Sequence, residues 1–313
     1  MLTFDTVLYT SPSPCVVALG CFDGVHKGHA RVLGIARKKA DELGLPLCVF
    51  AFSEPPRNFF SPVSVPLLTL REEKLELFES LGVDVAVCVP FDESILSMCA
   101  EDFVNNILIG NMKAAHIVCG YNYTFGKNAA GNPELIKDIC VKKSIGVTVT
   151  PDFTVNGCSV SSSLVRNVIA DGDMETAALL LGRPYSICDT VVNGQHLARK
   201  LGFPTVNIIP KQGKLTPKNG VYVTRISFDS GTKYGITNIG MRPTVDTHIM
   251  CAETHIFDFD GDLYGKKITV EFMRFLREET KFPSVEQLAK QVETDIETAK
   301  EFLSGLLKLK IES

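Results

Sequence analysis

Residues 16–33 read VVALGCFDGVHKGHARVL, and this stretch decides the fold. Val16 to Leu19 form an apolar run without polar alternation, as a strand buried on both faces requires. A glycine-containing turn follows, and the pattern from about Gly28 onward is helical. His26, Gly28 and His29 therefore fall at a strand-to-helix junction, where backbone N–H groups and the positive end of the helix converge on an anion. Two imidazoles three residues apart can both donate to phosphate oxygens, and the glycine between them admits an approach that a Cβ would block. The plain alternative is that both rings only cap a turn. The junction itself favours the ligand, because it is where α/β sheets bind one.

The flanking sequence repeats this rhythm. Further unbroken apolar runs lie at Leu47–Phe52, Val85–Val89, around Ile117 and at Val147–Thr150. Between them, Thr69 and Glu72 have the spacing of a capping box that opens a helix, and Asn132-Pro133 places a cap residue before a proline at the first helical position. Strands alternating with helices predict a parallel sheet with right-handed crossovers. After Thr150 the pattern changes. Asn156-Gly157 is a hairpin signal, and two short helices split by Asp171-Gly172-Asp173 follow. From residue 183 the chain is rich in strand patterns: Ile187–Val192, Val206–Ile209, Val221–Phe228, Tyr234–Ile239, Thr254–Phe259 and Ile268–Phe275. Turn signals at Asn193-Gly194, Asn219-Gly220, Ser230-Gly231 and Asp260-Gly261 separate them, the spacing of an antiparallel barrel. Apolar positions from Val285 to Leu306 keep to one face of a closing helix. The expectation is two domains, 1–182 and 183–313.

At 313 residues and a net charge of −4, with 45% hydrophobic and 22% charged residues, the chain has the composition of a folded globular protein. Lys+Arg 32 against Asp+Glu 36 argues against a surface that coats nucleic acid, although a nucleotide-sized anion remains a fitting partner. No apolar run is long enough to span a membrane, and no basic residue precedes Lys27, so a cytoplasmic protein without membrane partners is expected. The 10 cysteines include no CxxC pair and sit mostly in apolar runs, which reads as reduced, structural thiols rather than a zinc site.

The motif GCFDGVHKGH resembles the signature of the bacterial bifunctional riboflavin kinase/FAD synthetase family, within the wider HxGH nucleotidyltransferases. LLTLREEKLELFESLGVD (67–84), VPFDE (89–93), CGYNYTFGKNAAG (119–131) and SSSLVR (161–166) follow in the order seen in that family. The resemblance implies a Rossmann-like nucleotidyltransferase domain that joins AMP from ATP to FMN, releasing pyrophosphate. In it His26 and His29 would stabilise the ATP phosphates, Phe22, Asp23 and Gly28 would belong to the nucleotide loop, Ser162, Ser163 and Arg166 would form a second nucleotide-binding motif, and Asn122 would lie near FMN. Such a reaction needs positioning and electrostatic stabilisation rather than a protein nucleophile, and an arginine that stays charged and grips phosphate with two N–H groups suits it.

In the second half, GRPYSICDTVVNGQHLARKLGFPTVNI (182–208) resembles the opening of the flavokinase module, with Pro204-Thr205-Val206-Asn207 standing for its PTAN motif. NIGMRPTV and AETHIFDFDGDLYGKKITVEF extend the match. The resemblance implies phosphorylation of riboflavin by ATP, with Thr205 and Asn207 meeting Mg²⁺ and the phosphates, Arg199 on the nucleotide and Glu253 as the base. A hydroxyl and an amide oxygen suit Mg²⁺, and a carboxylate with an ordinary pKa of ~4.3 is ionised at pH 7. The expected ligands are thus ATP, riboflavin, FMN and FAD with Mg²⁺. Oligomeric state is not legible. Two departures stand out. FSEPPRNFF (52–60) has Pro55 where the family commonly has a histidine, and Ala198 stands where it commonly has glycine. They leave a second reading open, in which one activity is retained and the other domain only binds flavin or nucleotide.

Overall fold

The computed structural model describes residues 1–193, 203–243 and 248–311. The chain forms two compact units, Met1–Ser162 and Ser163–Ser313.

In the first unit, strands β1 (Leu2–Phe4), β2 (Cys15–Leu19), β3 (Leu47–Phe52), β4 (Val85–Val89), β5 (Ala114–Gly120) and β6 (Gly146–Thr150) make one sheet in the order β1-β4-β3-β2-β5-β6. Every neighbouring pair is parallel. All residues of β2 and β4 are buried, which is why neither run alternates with polar residues. One face is covered by the helix Lys27–Leu43, whose Val32, Leu33, Ala36 and Ala40 pack on Val16, Ala18 and Val49. The other is covered by the π-helix Phe103–Asn111 and the helix Pro133–Val141, whose Val104, Leu108 and Ile136 pack on Val17 and Leu19. From β2 the chain steps outward through β3 to β4, then returns to place β5 and β6 on the other side of β2. The order reverses at β2/β5, so a crevice opens at the carboxyl ends of those strands.

A short hairpin of β7 (Thr154–Val155) and β8 (Cys158–Ser159) turns at Asn156 (φ 51°) and Gly157 (φ 80°), as its Asn-Gly pair predicts. The helices Ser162–Ala170 and Met174–Leu181 follow. They were expected with the first domain, but most of their packing is with what comes after: Glu175 pairs with Arg274 at 2.7 Å, and the Lys218 N–H donates to the Ile169 carbonyl at 3.4 Å. By compactness the division therefore falls at 162/163 instead of 182/183.

Strands β9 (Tyr185–Thr190), β10 (Thr205–Ile208), β11 (Gly220–Phe228), β12 (Gly231–Pro243), β13 (His248–Ile256) and β14 (Lys267–Arg277) form an antiparallel sheet in the order β10-β13-β12-β11-β14-β9. Val192, just past β9, donates its N–H to the Asn207 carbonyl on β10 at 2.8 Å, joining the two edges of the sheet as the barrel expectation requires. Inside, the buried hydroxyls of Thr224, Thr237 and Thr254 bond one another at 2.8 and 2.9 Å, so no interior hydroxyl of this ladder is orphaned. Outside, the helix Val285–Ile311 packs Ala299 and Leu303 against Val221, Val223 and Ile236. All 10 cysteines are free thiols. Burial pushes Cys119 and Cys140 up to about 11, consistent with inert packing groups.

Candidate active sites

The turn after β2 holds three left-handed residues, Phe22 (φ 52°), Gly24 (φ 80°) and Val25 (φ 38°). A β-branched residue in that conformation is strained by about 1–3 kcal/mol and persists only where its surroundings enforce it. Here they do. The buried Asp23 carboxylate accepts from the backbone N–H groups of Leu68 (3.0 Å) and Thr69 (3.2 Å), the Thr69 hydroxyl accepts from the Gly24 N–H (3.0 Å), and the Ser162 hydroxyl donates to the Asp23 carbonyl (2.9 Å). This clasp also displaces the predicted capping box. With the Thr69 hydroxyl engaged on Gly24, the helix Arg71–Ser80 is capped at Leu70, whose N–H donates to Glu73 at 2.8 Å.

His26 is the N-cap of the helix Lys27–Leu43, and its Nδ1 accepts from the His29 N–H at 3.3 Å. An accepting Nδ1 carries no proton, so the ring's hydrogen sits on Nε2, the donor side of the ring. The two rings stack at 3.7 Å and 14°, and His29 lies edge-on to Phe22 at 5.2 Å. Burial, then His26, then the Lys74 charge hold the His29 imidazole well below its ordinary range, and its Nδ1 is buried without a partner. The His29 ring is thus neutral at pH 7, so it stacks on His26 without adding a second charge.

A cavity of about 360 Å³ opens beside them, at the β2/β5 crevice. His26, Gly28, His29 and Phe22 line it from the β2 turn, Asn122 and Tyr123 from the end of β5, Phe153 from beyond β6, and Ser162 closes it. Of the residues expected there, Asp23 sits behind the wall as a clasp, and the Phe22 ring also packs against Phe78 at 5.5 Å, so Phe22 serves the core as well as the cavity. Ser163, exposed, and Arg166, buried, fall in the second unit. Pro55 is buried while Phe52 and Pro56 line the cavity, which makes this edge apolar. Sequence reasoning missed Tyr123, whose ring stacks on Phe125 at 5.7 Å, along with Thr69 and Lys74. The sequence signal at Thr69, a hydroxyl three residues before Glu72, points to a helix cap rather than to this loop.

In the second unit, Glu253 lies in mid-β13, paired across the sheet with Asn207 on β10 and Asn238 on β12. Direct cross-strand partners share a face, and residues two apart do as well, so Thr205, Asn207, Asn238, Glu253 and His255 form one polar patch. The Thr205 hydroxyl donates to Glu253 at 2.7 Å, and the Cys251 thiol donates to the Asn207 amide oxygen at 3.4 Å. The His255 Nδ1–H donates to the Pro204 carbonyl at 2.9 Å, fixing the start of β10. Sequence reasoning missed His255. Thr205 and Glu253 line an apolar cavity of about 220 Å³ with Phe203, Ile236, Phe282 and Val292. Thr205 and Asn207 also line a second cavity, of about 530 Å³, with Phe259 and the 260–264 loop. One threonine therefore borders both an apolar slot and a more polar one. Arg199 and Ala198 lie outside the described residues.

A histidine-paired cradle on a parallel sheet, and on an antiparallel barrel a carboxylate bonded to the threonine that borders two cavities, define a two-site transferase of nucleotide substrates. The family model described as FAD synthetase matches residues 9–164, and the one described as riboflavin kinase matches residues 181–303. The chain is 37% identical over 290 residues to the bifunctional riboflavin kinase/FMN adenylyltransferase of Pseudomonas fluorescens, covering 91% of this chain and 92% of that protein. It is 34% identical to the protein of the same description from Bacillus subtilis, covering 94% of each. A crystal structure described as a macrolide-efflux protein from Streptococcus pneumoniae superposes with a TM-score of 0.87 at 30% identity, over 96% of this chain and 99% of that one. Among the described residues here, no helix is long and apolar enough to cross a membrane. The chain belongs to the bifunctional riboflavin kinase/FMN adenylyltransferase family.

Proposed function

We propose a division of the two reactions between the two sites and a role for each residue. In the crevice of the first unit, a phosphate oxygen of FMN attacks the α-phosphorus of ATP; the new P–O bond makes FAD as the bond to the β-phosphate breaks and pyrophosphate leaves. His26 and His29 donate to the phosphate oxygens as charge develops on them, Gly28 lets the rings and backbone close in, and Phe22 and Asp23 keep the loop in its strained form. Asn122 faces the flavin side. Ser162, Ser163 and Arg166 serve the nucleotide, which sets the functional division at 182/183 even though 163–182 packs with the second unit.

In the barrel, the ribityl hydroxyl of riboflavin attacks the γ-phosphorus of ATP, giving FMN and ADP, and Glu253 takes the hydroxyl proton. The flavin occupies the apolar cavity and the nucleotide the polar one. The single observation that carries this reading is the Thr205–Glu253 bond at the wall between them. Thr205 and Asn207 are the residues that would hold Mg²⁺. They fit it: both offer neutral oxygens, and the Asn207 oxygen accepts only a weak thiol bond, as suits an ion that keeps its waters and takes phosphate oxygens. When bound, Mg²⁺ neutralises phosphate charge during transfer. Arg199 would contact the same nucleotide. The protein acts on small molecules in the cytoplasm.

Incubation with riboflavin, ATP and Mg²⁺, followed by separation of the flavins, tests the assignment. FMN and then FAD should accumulate. His29→Ala should stop at FMN, and Glu253→Ala should make FAD only from supplied FMN. Loss of FMN formation in a folded His29→Ala, or failure of a folded Glu253→Ala to make FAD from supplied FMN, would overturn the division, and FMN that never proceeds to FAD in the parent protein would overturn the first-unit role.

A further inference from the structure

Lys74 stands in the first turn of the helix Arg71–Ser80, in a stretch, REEK, that reads as a solvated face. It is instead only 2% exposed. Its ammonium donates to the carbonyls of Phe52 (3.1 Å), Ser53 (3.3 Å) and Cys21 (3.5 Å). An ammonium has three donors, and here three carbonyls meet them. Burying a charge is unfavourable unless it is held in this way, and a leucine or methionine would fill the same space without that requirement. The charge therefore points to a role beyond filling space.

The position of the three carbonyls indicates that role. Phe52 ends β3 and Ser53 follows it, while Cys21 lies in the turn after β2, the neighbouring strand. One ammonium thus ties together two loops at the carboxyl edge of the sheet. The Cys21 loop carries the histidine cradle, and the loop after β3 carries the Phe52–Pro56 wall of the same cavity.

We propose that Lys74 is a positioning residue for adenylyl transfer, setting the distance between the histidine cradle and the opposite wall while supplying a buried positive charge beneath the phosphates. This rests on the assignment of adenylyl transfer to the first unit. The geometry has an electrostatic counterpart, because the titratable groups that act on His29 are its stacked neighbour His26 and Lys74. Removing the lysine charge lets His29 take up a proton more readily, at a higher pH.

The full chain with Lys74→Met or Lys74→Arg tests this through three readouts: kcat and KM for FAD formation from FMN and ATP, riboflavin phosphorylation in the same preparation, and the NMR titration of the His29 imidazole. Lys74→Met should lower kcat for FAD formation by about 10- to 100-fold, the range for displaced reacting groups, with KM less affected and phosphorylation unchanged. Its His29 titration should move to higher pH. Lys74→Arg keeps the charge but cannot place its planar fork on the same three carbonyls, so its His29 titration should hold while kcat still falls. FAD formation by Lys74→Met within twofold of the parent, or an unmoved His29 titration in it, overturns the proposal. If Lys74→Met fails to fold, a folded Lys74→Arg with the parent's kcat overturns it instead. A parent protein that makes FMN but no FAD refutes the underlying site assignment, a result distinct from either.

Discussion

Gly28→Ala tests the phosphate cradle at the scale of one methyl group. A Cβ built on Gly28 lies 3.2 Å from both Nδ1 and Cε1 of His26 and 3.8 Å from the Phe153 Cβ. The first distance is below the ordinary contact range of about 3.5–4.0 Å, so the ring must yield by a few tenths of an ångström. It has little room to do so, being stacked on His29 at 3.7 Å while its Nδ1 accepts the His29 N–H at 3.3 Å. A small further stretch takes that bond out of hydrogen-bonding range. Losing the cap costs about 1 kcal/mol, and alanine regains roughly 0.5–1 kcal/mol over glycine within the helix, so global stability should change by less than about 1 kcal/mol. The consequence belongs to the rate. If a 1 Å misplacement costs about 100-fold, a shift of a few tenths of an ångström costs about 4- to 10-fold. The assay is kcat for FAD formation at saturating FMN and ATP, with riboflavin phosphorylation as the internal standard. An unchanged FAD rate in the folded variant would show that the His26 ring position does not matter to the chemistry. Equal loss of both reactions would show that the substitution damages more than the cradle.

Other perturbations separate the remaining roles. Because burial, His26 and Lys74 hold His29 well below 6.5, FAD formation should stay level as pH falls through 6.5 and decline only further into acid, which a pH–rate profile checks. The sign for stability is the same: a depressed imidazole stabilises the fold fully above the unfolded value of 6.5 and loses that contribution as pH falls through the folded value, so His29→Phe should flatten the acid side of a melting-temperature series. Thr205→Val removes the hydroxyl that donates to Glu253 and should lower riboflavin phosphorylation by about 100-fold, with Thr205→Ser restoring most of it, both measured as FMN formed. Asp295→Ala breaks a pair in which Arg277 binds both carboxylate oxygens at 2.8 to 3.0 Å; with the Asp295 side chain 5% exposed and Arg277 22%, the loss should be about 3 kcal/mol by urea unfolding.

What could be read from the residues, and what could not, follows from the range of the forces involved. The doubly buried strands β2, β3 and β4, the Asn156-Gly157 hairpin and the split helix at Gly172 depend on local hydrophobicity and turn chemistry, so their patterns survive in the linear chain. Strand β1 does not show, since two of its three residues are exposed and it is placed in the sheet by pairing with β4, more than 80 residues away in the register Leu2 to Val85. The site divides in the same way. His26, Gly28 and His29 are near neighbours in sequence, and their spacing announces an anion cradle. Thr69 and Lys74 act on that cradle from 45 and 53 residues away, on the Gly24 N–H and the Cys21 carbonyl, and locally each resembles an ordinary helix residue. A threonine before an acidic turn looks like a cap, and a lysine after two glutamates looks like surface. Propensity alone marks neither for this role, because tertiary hydrogen bonds recruit these side chains to hold a strained loop whose own sequence cannot hold it. The barrel shows the converse. Thr205 and Glu253 are 48 residues apart and carry no joint signal, yet antiparallel register places Asn207 opposite Glu253 and so brings Thr205, two residues along the same face, within 2.7 Å. A one-residue slip of β10 against β13 would turn Thr205 and Asn207 to the interior and leave Glu253 facing apolar groups. The kinase chemistry therefore depends on sheet register as directly as on the carboxylate itself.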